Sequence, residues 1–90
     1  MINSYKVEWK QSAQKELKKL PKAVITKIVN SVESLSKNPF PLGSKKISGV
    51  EYTFRIRIGD YRIIYTVESE RCIIEVIKIG HRKDVYRHFK

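Results

Sequence analysis

Tyr52-Thr53-Phe54-Arg55-Ile56-Arg57-Ile58-Gly59-Asp60-Tyr61-Arg62-Ile63-Ile64-Tyr65 is two patterned runs around a two-residue turn. Apolar and polar side chains alternate along the first run almost without fault, which is the period of a half-buried strand. Gly59 comes first in the turn, as a type II′ hairpin requires, so the chain reverses at Gly59-Asp60 and returns from Tyr61 to Val67. The turn then sets the register. Ile58 lies opposite Tyr61, Ile56 opposite Ile63 and Phe54 opposite Tyr65, all on one face. Arg57 lies opposite Arg62, and Arg55 opposite Ile64, on the other. Two arginines directly opposed across a strand pair repel each other. An anion bound there during function accounts for the arrangement. The plain alternative is a solvated polar face whose arginines pair with Glu51, Glu75 or other carboxylates.

Outward from the hairpin, Glu68-Ser69-Glu70-Arg71 makes a turn, and Cys72 to Ile79 is apolar on both parities except at Glu75 and Lys78. That run reads as a central strand, ended by Gly80. His81 to Lys90 is a basic tail in which Val85, Tyr86 and Phe89 are available to dock. Toward the N-terminus, Tyr5, Val7 and Trp9 alternate with Lys6 and Glu8, which predicts a first strand. Ser12 can cap a helix carrying Ala13, Leu17 and Leu20 on one face. Pro21 closes that helix and opens a second, with an apolar stripe of Ile25, Ile28, Val32 and Leu35, ending before Asn38-Pro39-Phe40-Pro41. A short strand near Lys46-Ile47-Ser48 is possible in the following loop. The expected architecture is α+β, a small antiparallel β-sheet of about four strands with an N-terminal αα-hairpin packed on one face. Its order is β-α-α-(β)-β-β-β-tail, in one domain over residues 1–90.

Charge narrows the function. Nineteen Lys+Arg against nine Asp+Glu leave a formal net charge of +10 in 90 residues. Such an excess opposes folding by self-repulsion and favours a polyanionic partner, with nucleic acid ahead of an acidic protein or an anionic membrane surface. A charged surface that merely maintains solubility is the competing explanation. Cys72 is the single cysteine, so no internal disulfide forms, and it reads as a small buried hydrophobe. No stretch is long and apolar enough for a membrane span or a signal peptide, and a reducing cytoplasm is the expected compartment.

The tail adds candidates to the hairpin arginines. Gly80-His81-Arg82 leaves the sheet end directly, and Tyr86 lies four residues beyond Arg82. A ring beside several guanidinium groups suits stacking on a base and clamping of a phosphate. Tyr86 packed on the core is the alternative. His81 and His88 lack a carboxylate or cysteine at ligand spacing, so no metal site is expected. Lys15, Lys18, Lys19 and Lys22 read as a solvated helix face that could add sequence-independent phosphate contacts.

The hairpin, with Val76-Ile77-Lys78-Ile79-Gly80-His81-Arg82 and Val85-Tyr86 after it, resembles the RelE/ParE toxin superfamily. Tyr5-Lys6-Val7-Glu8-Trp9, Ala13 and Leu17-Lys18-Lys19-Leu20-Pro21 are similar too, so the likeness covers nearly the whole chain. It implies a RelE-type toxin of a type II toxin–antitoxin system, held inactive by a cognate antitoxin expected to be acidic and partly helical. When freed, such a toxin cleaves mRNA in the ribosomal A site, without a cofactor. By position, the resemblance implies Arg57, Arg62, Arg82, Tyr86 and His81 as the catalytic set. Arg55, Lys45, Lys46 and Arg87 are the candidate RNA-binding residues. Some relatives carry lysines on the first hairpin strand, where this chain has arginines, and arginine is a poor general base. The base would then be His81, Tyr86, or a group from the RNA or ribosome. ParE-type relatives instead poison DNA gyrase, and a non-catalytic nucleic-acid-binding module would use the same basic face without turnover.

Overall fold

The structure is a computed structural model, and it describes residues 4–81. The elements are β1 (Lys6–Trp9), α1 (Gln11–Lys18), α2 (Lys22–Ser34), β2 (Lys45–Lys46), β3 (Thr53–Ile58), β4 (Tyr61–Glu68) and β5 (Ile73–His81). They form one five-stranded sheet in the order β1-β5-β4-β3-β2. The α+β class and the element order match the sequence reading, and the loop strand expected near Lys46-Ile47-Ser48 forms slightly earlier, as β2. The sheet is mixed, however, because β1 runs parallel to β5 while all other neighbours are antiparallel. A parallel pair needs a long crossover, and everything from α1 to β4 supplies it.

The expected hairpin register is observed pair for pair, from Ile58 opposite Tyr61 to Phe54 opposite Tyr65. Gly59 has φ 61°, and Asp60 has no positive φ, as a type II′ turn requires. Inward residues of β3, β4 and β5 form one core with Ala13 of α1, Ile28 and Val32 of α2, and Leu35 at the C-cap of α2. Burial of these side chains, at roughly 25 cal/mol per Å² of apolar surface, is the main force holding helices to sheet.

Four local details differ from the sequence reading. Lys10, not Ser12, occupies the N-cap of α1, and it makes no side-chain cap bond. Tyr52 lies outside β3 at φ 58°, because the chain must turn from β2 into β3, and Ile47 N–H closes that loop on the Thr53 carbonyl. Cys72 sits in the turn before β5 at φ 54°, half-buried. Finally, β5 runs through Gly80 to His81, because Arg62 and Tyr61 of β4 pair with these two residues.

A bulge in β5 orders its apolar residues. Tyr65 faces Val76, the next residue Ile64 faces Lys78, and Ile77 is left over. The extra residue inverts the alternation. Ile74, Val76 and Ile79 therefore all reach the core beneath the helices. Among the described residues no helix is long and apolar enough to cross a membrane.

Candidate functional site

The sheet face away from the helices carries the charge. Arg57 and Arg62 are directly opposed on β3 and β4. A second like-charged pair adjoins them, since Lys45 of β2 lies opposite Arg55. Two rows of cations thus cross the sheet, Lys45-Arg55-Ile64-Lys78 and Arg57-Arg62-Gly80. Arg57 and Lys45 are exposed, whereas Arg55 and Arg62 are half-buried. Ile64 is fully buried between Arg55 and Lys78. Gly80 puts no side chain beside Arg62.

No described carboxylate comes within ion-pair distance of Arg55 or Arg57. Pairing with Glu51 or Glu75, the plain alternative for this face, is not observed for those two. Guanidinium groups held side by side suit phosphate, because their planar donor forks match its oxygens.

Sequence alternation sends two of the candidates elsewhere. Lys46 lies opposite Phe54 and so belongs to the helix side of the sheet. His81 lies opposite Tyr61, also on the helix side, because the bulge at Ile77 has shifted the phase of β5. There its ring meets Tyr61 edge-on at 5.1 Å, and its Nε2 stands 3.9 Å from Asp60 Oδ2. The structure therefore unites Arg55, Arg57, Arg62 and Lys45, and turns Lys46 and His81 away from them. Arg82, Tyr86 and Arg87 lie outside the described residues. Among the described residues no three His, Cys, Asp or Glu side chains gather where they could hold a metal ion.

Two supports of this face were not legible in the sequence. Beyond the end of β1, the edge of β5 would expose an unpaired backbone N–H at Ile79. Glu16 of α1 accepts it on Oε1 at 2.9 Å, while its Oε2 takes the Lys78 ammonium, also at 2.9 Å. This carboxylate fixes the strand segment that presents Gly80. Nothing local marks Glu16 for the task, since its partners are more than sixty residues away. The second support is Tyr65, whose hydroxyl donates to the Pro39 carbonyl at 2.8 Å. Phe54 stacks on Tyr65 at 6.1 Å, and Phe40 meets Phe54 edge-on at 5.0 Å. Together these rings pin the loop after α2 against the hairpin. Burial pushes the Tyr65 phenol up to about 12, with the Ser44 hydroxyl acting in the opposite direction.

Comparison with known proteins gives a consistent set. A family model described as the ParE toxin of the type II toxin–antitoxin system parDE matches residues 7–86. The chain is 30% identical over 84 residues to toxin RelG of Mycobacterium tuberculosis, covering 92% of this chain and 97% of that one. It is 32% identical over 87 residues to a putative toxin RelE1 of Methanocaldococcus jannaschii, covering 93% and 97% of the two chains. Among solved structures, the archaeal RelE–RelB complex from Pyrococcus horikoshii matches with a TM-score of 0.79 at 30% identity, over 88% of this chain and 96% of that one.

Proposed function

The chain belongs to the RelE/ParE superfamily of toxins from type II toxin–antitoxin systems, and from that membership we propose that it is an endoribonuclease that cuts mRNA on the translating ribosome. The observation that carries this reading is the Arg57–Arg62 pair, two opposed cations flanked by Arg55 and Lys45 on one face.

The reaction is attack of a ribose 2′-OH on the adjacent phosphorus, in line with the departing 5′-oxygen. Arg55 and Lys45 hold flanking phosphates and set the path of the strand. Arg57 and Arg62 donate to the non-bridging oxygens as charge gathers on the five-coordinate phosphorus, which is stabilisation felt mainly in the transition state. Arg82 assists at the leaving oxygen, and Tyr86 stacks on a base or orients the nucleophile. Arginine keeps its proton, and His81 faces the other side of the sheet. The 2′-OH proton therefore goes to Tyr86 or to a group of the RNA or ribosome. A site lacking its own strong base has a physical reason to work only on the ribosome.

The partner that silences it is a cognate antitoxin, acidic and partly helical, lying across the same cationic face. Relatives have been solved as RelE–RelB complexes, which supports this assignment. Retention of the complex at low salt and its weakening at high salt is the expected behaviour.

Primer extension on an mRNA translated in a cell-free system tests the reading, with wild type and Arg62→Ala side by side. Codon-positioned cuts from wild type alone support a ribosome-linked nuclease. One observation favours a second reading, since the matching family model is that of a ParE toxin. Intact message together with inhibited gyrase supercoiling would move the assignment there.

A further inference from the structure

The helix side of the molecule carries a second concentration of positive charge, separate from the arginine face. Lys15, Lys18, Lys19 and Lys22 fall at the corner where α1 passes into α2, and all four are exposed. The only carboxylate among residues 15–22 is Glu16, and it is turned inward onto Lys78 and the Ile79 backbone. None of the four lysines has a carboxylate within ion-pair distance among the described residues. Lys22 moreover stands in the first turn of α2, where the helix dipole disfavours a cation and where no acidic residue is present.

We propose that this α1–α2 corner is a second, sequence-independent docking surface for the phosphate backbone of double-helical RNA. Its chemistry separates that occupant from a protein. Protein-docking patches are depleted of lysine and enriched in aromatic residues and arginine. The exposed large hydrophobics of the described residues are Phe40, Leu42 and Tyr52, none of them on α1 or α2. Lysines without interleaved aromatic or apolar groups are flexible point charges, suited to phosphates at variable positions and unsuited to reading bases. The sheet lies between this corner and the arginines, so the two surfaces can engage different RNA segments at once. A strand presented to the arginines beside a fixed duplex then binds at a raised effective concentration.

Because this surface rests on the RNA-directed reading above, its test reads binding and not cleavage. The probe is an RNA duplex of about 20 base pairs of mixed sequence, followed by fluorescence anisotropy between roughly 50 and 200 mM KCl. The variant combines Lys15→Gln, Lys18→Gln, Lys19→Gln and Lys22→Gln, all at exposed helical or cap positions. A control with the same loss of charge combines Lys6→Gln, Lys10→Gln, Lys27→Gln and Lys37→Gln. Each lysine on a phosphate contributes about 1 to the slope of log affinity against log salt, so the corner variant should lose up to about 4. Its affinity should fall tenfold or more, the control should change little, and the corresponding four Lys→Arg changes should retain binding. Equal losses in variant and control would overturn the proposal, since the attraction would then be diffuse. So would an unchanged slope in the corner variant, or loss of binding to a polyglutamate peptide with duplex binding kept. Wild-type protein that leaves translated mRNA intact, yet shows the slope difference, supports the corner while removing the nuclease reading.

Discussion

The two ends of the β3–β4 hairpin are opposites in charge and in backbone geometry. At the closed end, a two-residue turn brings Arg57 against Arg62. The carboxylate there, Asp60, is turned to His81. At the open end, Glu51, Tyr52, Thr66, Val67, Glu68, Ser69 and Glu70 surround a cavity of about 500 Å³. Three of the chain's nine acidic residues stand there, at the other end of the hairpin from Arg57 and Arg62. The glycine turn at the closed end is relaxed, whereas Tyr52 at the open end holds φ 58° with its ring 67% exposed. One hairpin thus gathers cations at its closed end and three carboxylates at its open end. The closed end sets like charges opposite each other, and the open end carries backbone strain.

Variants can break or sharpen this contrast. The largest effect belongs to the closed end. Arg57→Ala should lower the rate of mRNA cutting by about 10²–10³, the usual loss when one transition-state donor is removed. Glu70→Gln at the open end should leave the rate unchanged, both read by timed primer extension. Next comes the middle that both ends share. Tyr65→Phe removes the donor to Pro39 O from a buried site and should destabilise the fold by about 1–3 kcal/mol in urea denaturation. The phenol also predicts alkaline behaviour. Its folded value of about 12 lies above the ordinary phenol value of 10.0, so folding favours the protonated form. That stability is fully present below pH 10.0 and is lost as pH rises toward about 12. Tyr65→Phe should flatten this part of the stability profile. Tyr52→Gly at the open end should relieve left-handed strain and gain about 1 kcal/mol. The smallest effect sharpens the contrast most. Arg57→Glu replaces a repulsive cross-strand pair by an attractive one and should stabilise by about 0.2–1 kcal/mol, while abolishing cleavage.

The hairpin was legible because turn chemistry and strict alternation constrain each other, so Arg57 opposite Arg62 follows from counting alone. The helices were legible in outline from their apolar stripes, although the cap of α1 was not, since Lys10 offers no capping group. The parallel pairing of β1 with β5 leaves no local mark, because a strand's partner is chosen by packing over the whole chain. The face of His81 was out of reach for a related reason. Cys72 to Ile79 is apolar on both parities, so the sequence does not say where its alternation is interrupted, and the bulge decides which side His81 takes. Lys46 could have been assigned by carrying the hairpin's alternation one strand further, had β2 been registered against Phe54.

The unpaired Ile77 amounts to one residue of slack in β5. Were it deleted, Val76 would still face Tyr65 and Lys78 would still face Ile64. Gly80 would stay beside Arg62, and Ile79 would stay beneath the helices. A length change that would ruin an ordinary central strand is absorbed here without moving a guanidinium group. Related chains can therefore differ by a residue at this point and keep the same cationic face.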